Sequence, residues 1–207
     1  FIPGILLNET ASSCALHVHE SSILTPNRNE FNFTKNDDFT LSVWALFAPQ
    51  STGSRATIIS KNSIIIEQVQ GILDKPNKNN LIVPTFHVST STSYKPTDVF
   101  PYRLDVNPNG RINFERSDGI STLQLSGSTN LDDSNWHHFA VVKTGSNVIL
   151  YEDGVAIRSG SDIRYNCHNR HSLMFGSDSL DGSINTFYGS FDEFRIYNKG
   201  LSPSTIA

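Results

Sequence analysis

The sequence predicts an all-β protein, a two-sheet antiparallel β-sandwich. Short segments rich in β-branched and aromatic residues recur along the chain, and turn sequences separate them about every 8–12 residues. No segment has the 3.6-residue periodicity of an amphipathic helix. The composition agrees, since only 17% of the 207 residues are charged and 37% are hydrophobic. Sandwiches of this length often form one domain. We therefore expect a single domain over 1–207, with 1–14 a candidate N-terminal extension.

The clearest predicted strand covers residues 39–47. Its odd-numbered residues are all apolar and share one face by the two-residue period of a strand. Trp44 and Leu46 fall on the other face, so both sides of this strand carry apolar groups.

The remaining segments follow in order, separated by turns. Residues 107–110 (Asn-Pro-Asn-Gly) are a strong turn signal, because Pro presets φ and Asn-Gly accepts positive φ. Pro84 restricts its strand to an edge or a bulge. The other predicted strands lie at 14–18, 56–61, 64–69, 81–89, 102–117 (a hairpin), 121–125, 136–143, 147–152, 155–158, 173–176 and 191–197. Ser202, Pro203 and Ser204 predict one short helical turn near the end.

The charge of the chain restricts its partners. The formal net charge is −4, whereas a nucleic-acid surface needs a basic patch. No stretch approaches the roughly 20 apolar residues of a membrane span. We therefore expect neither nucleic-acid binding nor membrane insertion. The oligomeric state is not predictable from the sequence.

The two cysteines, Cys14 and Cys167, allow two interpretations. They are either separate buried thiols or one disulfide that ties the N-terminal strand to the last third of the chain. Together with the sequons at Asn8 and Asn32, the disulfide alternative favours an oxidising, extracellular setting.

Four blocks in the sequence resemble a known family in their order and spacing. The first is 135–142 (Asn-Trp-His-His-Phe-Ala-Val-Val), followed by 148–154, 173–176 and 189–202. This pattern is similar to the laminin-G-like jelly-roll domains of the concanavalin A-like lectin/glucanase superfamily. Residues 39–47 look like the early core strand of that family.

The resemblance implies a binding module rather than an enzyme. Members are mostly carbohydrate- or protein-binding modules of secreted or surface proteins, and a fold by itself does not carry a function. We expect a non-catalytic module for carbohydrate binding or adhesion, with a glycan or a cell-surface or matrix protein as partner. The alternative is a structural or assembly subunit of a surface filament, matrix or virion. A glycoside hydrolase is the third reading.

Asp192 is the candidate metal ligand. By strand parity it shares the inward face of residues 191–197 with Phe194 and Ile196, and a buried carboxylate needs a partner. The resemblance implies a structural Ca²⁺ near this position, held by one carboxylate and backbone carbonyls. The alternative is a carboxylate that accepts backbone N–H bonds at the strand end.

The candidate ligand-binding residues lie in two predicted loops, 89–103 and 177–189. Aromatic rings beside polar groups can stack on sugar faces, although Asp and Asn in such loops also serve as turn residues. The candidates are Tyr94, Tyr102, Asp178, Asp181, Asn185 and Tyr188.

The remaining titratable residues predict no chemistry. His137 and His138 are adjacent in a strand, so their side chains point to opposite faces and cannot readily chelate one ion. Retaining glycosidases need two carboxylates about 5–5.5 Å apart. Glu67 and Glu115 lie on plausible strands, each without an acidic partner two residues away. We therefore predict no catalytic residues.

Overall fold

The computed structural model describes residues 16–18, 22–47, 54–61, 99–178 and 185–207, and the statements below refer to these ranges. All of their elements belong to one compact unit made from 1–63 and 97–207. Twelve strands are present: β1 Leu16–Val18, β2 Ile23–Thr25, β3 Phe39–Phe47, β4 Ala56–Ser60, β5 Val99–Val106, β6 Ile112–Asp118, β7 Thr122–Ser126, β8 Trp136–Thr144, β9 Asn147–Glu152, β10 Val155–Ser161, β11 Leu173–Phe175 and β12 Gly189–Tyr197. A 3₁₀ turn covers Asn29–Phe31, and helix α1 covers Pro203–Ile206.

The strands form two antiparallel six-stranded sheets. Sheet A has the order β1-β12-β3-β8-β9-β10, and sheet B has the order β2-β11-β4-β5-β6-β7. The two-sheet antiparallel β-sandwich predicted from the sequence is confirmed. The predicted strands at 64–69 and 81–89 lie outside the described residues. The predicted loop 89–103 is instead strand from Val99 onward.

The core lies between the sheets and is rich in phenylalanine. The inward residues of β3 are almost fully buried, as the two-residue period predicted. Phe33 stacks on Phe39 with ring centroids 4.7 Å apart, and Phe187 stacks on Phe191 at 4.3 Å. Such aromatic packing stabilises a sandwich through apolar burial and ring geometry together.

Three buried cations fasten loops to the sandwich. Lys143 Nζ donates to the carbonyls of Lys35, Asp37 and Gly145. Arg116 is fully buried, and its guanidinium contacts Asp162 at 2.8 Å as well as three backbone carbonyls. The third cation, Lys61, donates to Asn27, to the Asn169 side chain and to the His171 carbonyl, and its burial lowers the pKa of its amine to about 8. A buried charge persists only when it is paired or fully hydrogen-bonded.

The last strand contains a β-bulge that reverses its side-chain parity. The register pairs Asp192 with Trp44 and then Arg195 with Ser42, so one extra residue lies between them. Glu193 is at the insertion and has a positive φ of 49°. As a result Asp192 and Glu193 are both exposed, while Phe194 and Ile196 face the core. The expected inward face of Asp192 was wrong, because simple alternation fails at a bulge.

Candidate ligand-binding face

Two tryptophans lie side by side on the outer face of sheet A. Trp44 on β3 and Trp136 on β8 are each 38% exposed. The register places Trp44 opposite His138 and Leu46 opposite Trp136, so the two indoles are diagonal neighbours. Diagonal cross-strand pairs lie about 7–8 Å apart, within reach of aromatic side chains.

Polar groups surround these rings. The His138 ring lies 5.2 Å from the Trp44 ring, and its Nε2 lies 3.2 Å from the Ser42 hydroxyl. Asp192 is the β12 neighbour of Trp44, and Arg195 is the β12 neighbour of Ser42. We call this surface the tryptophan face; its residues are Ser42, Trp44, Trp136, His138, Asp192 and Arg195.

The other half of the outer face of sheet A is covered. Ile206 of α1 and Leu201 pack against Ala140, Val142 and Tyr151. The C-terminal Ala207 reaches the turn between β9 and β10, where a Cβ on Gly154 would lie 3.0 Å from its Cα. Only the end of the sheet that carries the tryptophans therefore presents large exposed rings in the described part of this face.

Sheet B carries a cluster of charged side chains on its outer face. Arg55 Nη1 contacts Asp105 at 3.0 Å and Glu115 at 3.2 Å. Arg103 contacts the same two carboxylates, and Asn113 donates to both. We call these residues (Arg55, Arg103, Asp105, Asn113, Glu115) the arginine–carboxylate cluster.

The two carboxylates of this cluster differ in acidity. Burial raises the pKa of the Asp105 carboxyl to about 7, although Arg55 and Arg103 act against it. Burial alone would also raise the pKa of Glu115, but Arg103 and Arg55 outweigh burial and hold that pKa below its usual value. The cluster thus contains one carboxyl group that holds a proton near neutrality and one that does not.

The approach of these two carboxylates was not predicted, because acids two residues apart on one strand do not reveal pairs on neighbouring strands. Asp105 and Glu115 lie on neighbouring strands, where Arg103 pairs with Glu115 and Asp105 pairs with Asn113. The signal that could have found them is the turn at 107–110, which sets the register of this hairpin.

The structure pairs two of the predicted ligand-binding residues, Asp178 and Asn185, and buries a third, Tyr102. Tyr102 lies in the core with its ring near Phe33 and Phe39, instead of at a surface rim. Asp178 is buried, accepts a hydrogen bond from Asn185 at 2.8 Å and lies 3.7 Å from Arg103. Tyr188 is half-buried. Tyr94 and Asp181 lie outside the described residues. A ligand rim that includes Tyr102 does not fit this burial, and ligand binding by the other candidates stays a prediction.

The cysteine and calcium predictions also stay open. Cys167 is a free buried thiol in the structure, and burial raises its pKa to about 11. Cys14 lies outside the described residues, so the pairing of the two stays a prediction. Asp192 accepts a hydrogen bond from the backbone N–H of Glu193 at 2.7 Å. This contact is of the kind that the alternative to calcium requires, a carboxylate that accepts backbone N–H bonds.

An open pocket of about 560 Å³ lies beside the 3₁₀ turn. Asparagine and acidic residues dominate its lining: Asn29, Glu30, Asn32, Phe33, Asn36, Asp37, Asp38 and Asn198. Two of its carboxylates already serve the fold, since Asp37 accepts from Thr34 and Asp38 accepts from the Gly145 N–H. This pocket lacks an exposed aromatic platform.

The strand order and the exposed face define the class of protein. A two-sheet antiparallel sandwich with this topology is a concanavalin A-like jelly roll. A family model, Laminin_G_3, described as "Concanavalin A-like lectin/glucanases superfamily", matches residues 19–207. The chain belongs to this family, and the resemblance drawn from the four sequence blocks is confirmed.

Two solved structures that share this fold are binding domains of larger proteins. The binding domain of Paraclostridial Mosquitocidal Protein 1 is similar with a TM-score of 0.64 and 16% identity, over 93% of this chain and 41% of that chain. This chain therefore spans about two fifths of that domain. The carbohydrate-binding module CBM40 of the Ruminococcus gnavus IT-sialidase is similar with a TM-score of 0.58 and 13% identity, over 93% of this chain and 94% of the module. Similarity at these identities shows the fold alone. Among curated proteins, no sequence matches this chain.

Proposed function

We propose that this chain is a non-catalytic binding module that binds glycans on the tryptophan face. The observation that carries the proposal is the pair of half-exposed indoles, Trp44 and Trp136, on neighbouring strands. A pyranose ring has apolar C–H faces that stack on indoles, while its hydroxyls hydrogen-bond to nearby polar groups. His138, Ser42 and Arg195 supply such groups beside the rings.

The structural neighbours support this reading. The CBM40 module has also been solved bound to α2,3-sialyllactose. A related botulinum neurotoxin DC binding domain has been solved in complex with rat synaptotagmin II, with a TM-score of 0.54 and 12% identity. Both glycans and proteins are thus ligands of this fold. Polar groups alternate with the rings on the tryptophan face, which favours a glycan here.

The proposal places the module outside the cell, in adhesion to a glycan-bearing surface. No helix within the described ranges is long and apolar enough to cross a membrane. The predicted calcium ion at Asp192 remains part of the proposal, because that carboxylate borders the tryptophan face and an ion there could assist a sugar hydroxyl.

The test is a glycan array combined with intrinsic fluorescence. Trp44 and Trp136 are the only tryptophans in the sequence, so the whole tryptophan emission comes from this face. We expect a glycan that binds on the array to change this emission with the same dissociation constant. Trp44→Ala and Trp136→Ala should each weaken binding about tenfold or more, equivalent to ~1.4 kcal/mol.

Tyr165→Ala is the matched control. Tyr165 is 80% exposed, and its backbone N–H bonds to Asp118 at the end of β6, in the other sheet. Its removal should leave binding unchanged. If the wild type bound no glycan, with or without added calcium, or if both tryptophan variants bound as tightly as the wild type, the glycan proposal would be refuted.

One observation favours a second candidate function, glycoside hydrolysis. In the arginine–carboxylate cluster, Asp105 has a raised pKa and Glu115 a lowered one, which is the division expected of an acid and a nucleophile. However, both carboxylates are buried and both contact two guanidiniums, which fits a structural network better. Turnover of aryl glycosides that Glu115→Gln abolishes would establish the enzyme instead of the binding module.

A further inference from the structure

We propose that His137, Glu152 and Asp153 bind one divalent transition-metal ion of the Zn²⁺ class. One ligand atom from each of these three residues lies within 4.8 Å of the other two. The three residues lie at the start of β8 and at the end of β9, on the side of β8 that faces away from the tryptophan face. The proposal is therefore independent of glycan binding.

The backbone of the β9–β10 turn positions Asp153. This residue has a positive φ of 49°. Its N–H donates to the His138 carbonyl at 2.8 Å, and its Oδ1 accepts from the His138 N–H at 2.8 Å. These two bonds direct Oδ2 to His137 Nδ1, which lies 2.9 Å away. A tetrahedral ion with bonds of about 2.0–2.2 Å needs ligand atoms only slightly farther apart.

The burial of Glu152 and its unpartnered carboxylate oxygen indicate a cation at this place. Only 7% of the residue is exposed, and its buried Oε2 has no hydrogen-bond partner among the described residues. A Cβ on Gly127 would lie 3.5 Å from this oxygen, and the other atoms nearest that Cβ are methyl groups of Ile112 and Ile157. A buried carboxylate of this kind must be paired or bound to a metal.

The surroundings of His137 favour a transition metal over calcium. Calcium takes oxygen ligands, whereas an imidazole nitrogen with carboxylates suits Zn²⁺. The second ring nitrogen of His137, Nε2, lies 3.2 Å from Asp133 Oδ1. A carboxylate that accepts the second N–H of a metal-bound histidine fixes the ring in its ligating tautomer. Asp133 is therefore a positioning residue, and water completes the coordination.

The adjacent histidines do not share this ion. His138 points to the tryptophan face, as its contact with Trp44 shows. His137 and His138 therefore point to opposite faces, as their adjacent positions predict, and the partners of His137 come from the neighbouring strand β9 and the turn after it.

The experiment measures Zn²⁺ binding to the full chain, stripped with a chelator and carrying no polyhistidine tag. We expect calorimetry and elemental analysis to find one Zn²⁺ per chain and the melting temperature to rise with Zn²⁺ concentration. In Asp192→Asn, which lacks the calcium ligand proposed beside the tryptophan face, Ca²⁺ at the same concentrations should cause no such rise. A wild type that binds no stoichiometric Zn²⁺, or a Ca²⁺ response in Asp192→Asn equal to its Zn²⁺ response, would overturn the proposal.

Variants assign the ion to these residues. Glu152→Gln should weaken Zn²⁺ binding at least tenfold. Its metal-free form should melt no lower than the wild type, because it removes an unpaired buried charge. Asp133→Asn should weaken binding about 10–100-fold. Asp192→Asn, which removes an exposed carboxylate on the opposite side of the sheet, is the control and should bind as the wild type does. Equal affinity in Glu152→Gln and the wild type would exclude this site.

Discussion

Asp105→Asn should flatten the pH dependence of stability across the mildly acidic range. Burial raises the pKa of this carboxyl from 3.8 to about 7. Between those values the folded chain keeps a proton that the unfolded chain has released. Stability therefore falls as the pH rises through this window, since the native state binds more protons than the unfolded state.

The magnitude follows from the size of the shift. Each unit is worth about 1.4 kcal/mol, so a difference of about three units corresponds to ~4 kcal/mol lost between pH 4 and pH 7. The asparagine variant keeps the shape of the side chain but has no proton to release. It should be less stable than the wild type at pH 4.5, because Arg55 and Arg103 lose a hydrogen-bond acceptor at this position, and the gap should shrink by up to ~4 kcal/mol at pH 7.5.

Urea unfolding of both proteins at half-unit pH intervals measures this gap directly. The comparison of the two curves is needed because a second group contributes to the slope. Hydrogen bonds to Asp153 and Asp133 raise the pKa of His137 despite its burial. Its contribution to the free energy of unfolding therefore also falls as the pH rises. Ser126→Ala is the matched control, because the Ser126 hydroxyl donates to the Asn113 side chain at 2.8 Å and not to either carboxylate, so this variant should keep the slope of the wild type. Parallel curves for Asp105→Asn and the wild type would refute the reasoning.

Two further predictions concern the packing of the sandwich. Gly189→Ala should destabilise the fold by about 3 kcal/mol or more in urea unfolding, because the added Cβ would lie 2.1 Å from the Leu46 carbonyl at a φ of 154°. Gly145 has a φ of 56° and open space around it, so Gly145→Ala should cost only about 1–2 kcal/mol. Equal losses in the two variants would contradict the steric explanation. Arg116→Met should cost about 3–5 kcal/mol, because it leaves the buried Asp162 with only the more distant Arg164, at 3.7 Å, as a cationic partner. Adding Asp162→Asn should recover part of that loss, and a double variant no more stable than the single one would show that the ion pair is not the cause.

The sequence predicted the sandwich where strands follow simple alternation. Strand β3 coincides with the predicted 39–47, and Trp44 faces outward as its parity required. The turn at 107–110 and the short C-terminal helix also appear where their residues predicted them. Local periodicity and turn chemistry suffice for such features, because each depends on residues within a few positions of one another.

The candidate sites were less predictable because they depend on pairing between strands. The neighbourhood of Trp44 and Trp136 follows from the β3–β8 register, and that of Glu152 and His137 follows from the β8–β9 register. The bulge at Glu193 reversed the side assigned to Asp192. A two-residue alternation rule cannot detect an inserted residue, because the bulge is visible only in the pairing with the neighbouring strand.

The contact between Ala207 and Gly154 has a practical consequence for how the domain is handled. Gly154 follows Asp153, so a purification tag fused to Ala207 would start beside the proposed metal ligands. A polyhistidine tag at that end could supply imidazoles to the ion and imitate a native site. The same attachment would tether the molecule by the sheet that carries the tryptophans, and could hold that sheet against an array surface. Immobilisation through side chains of sheet B would leave both sites open to solution.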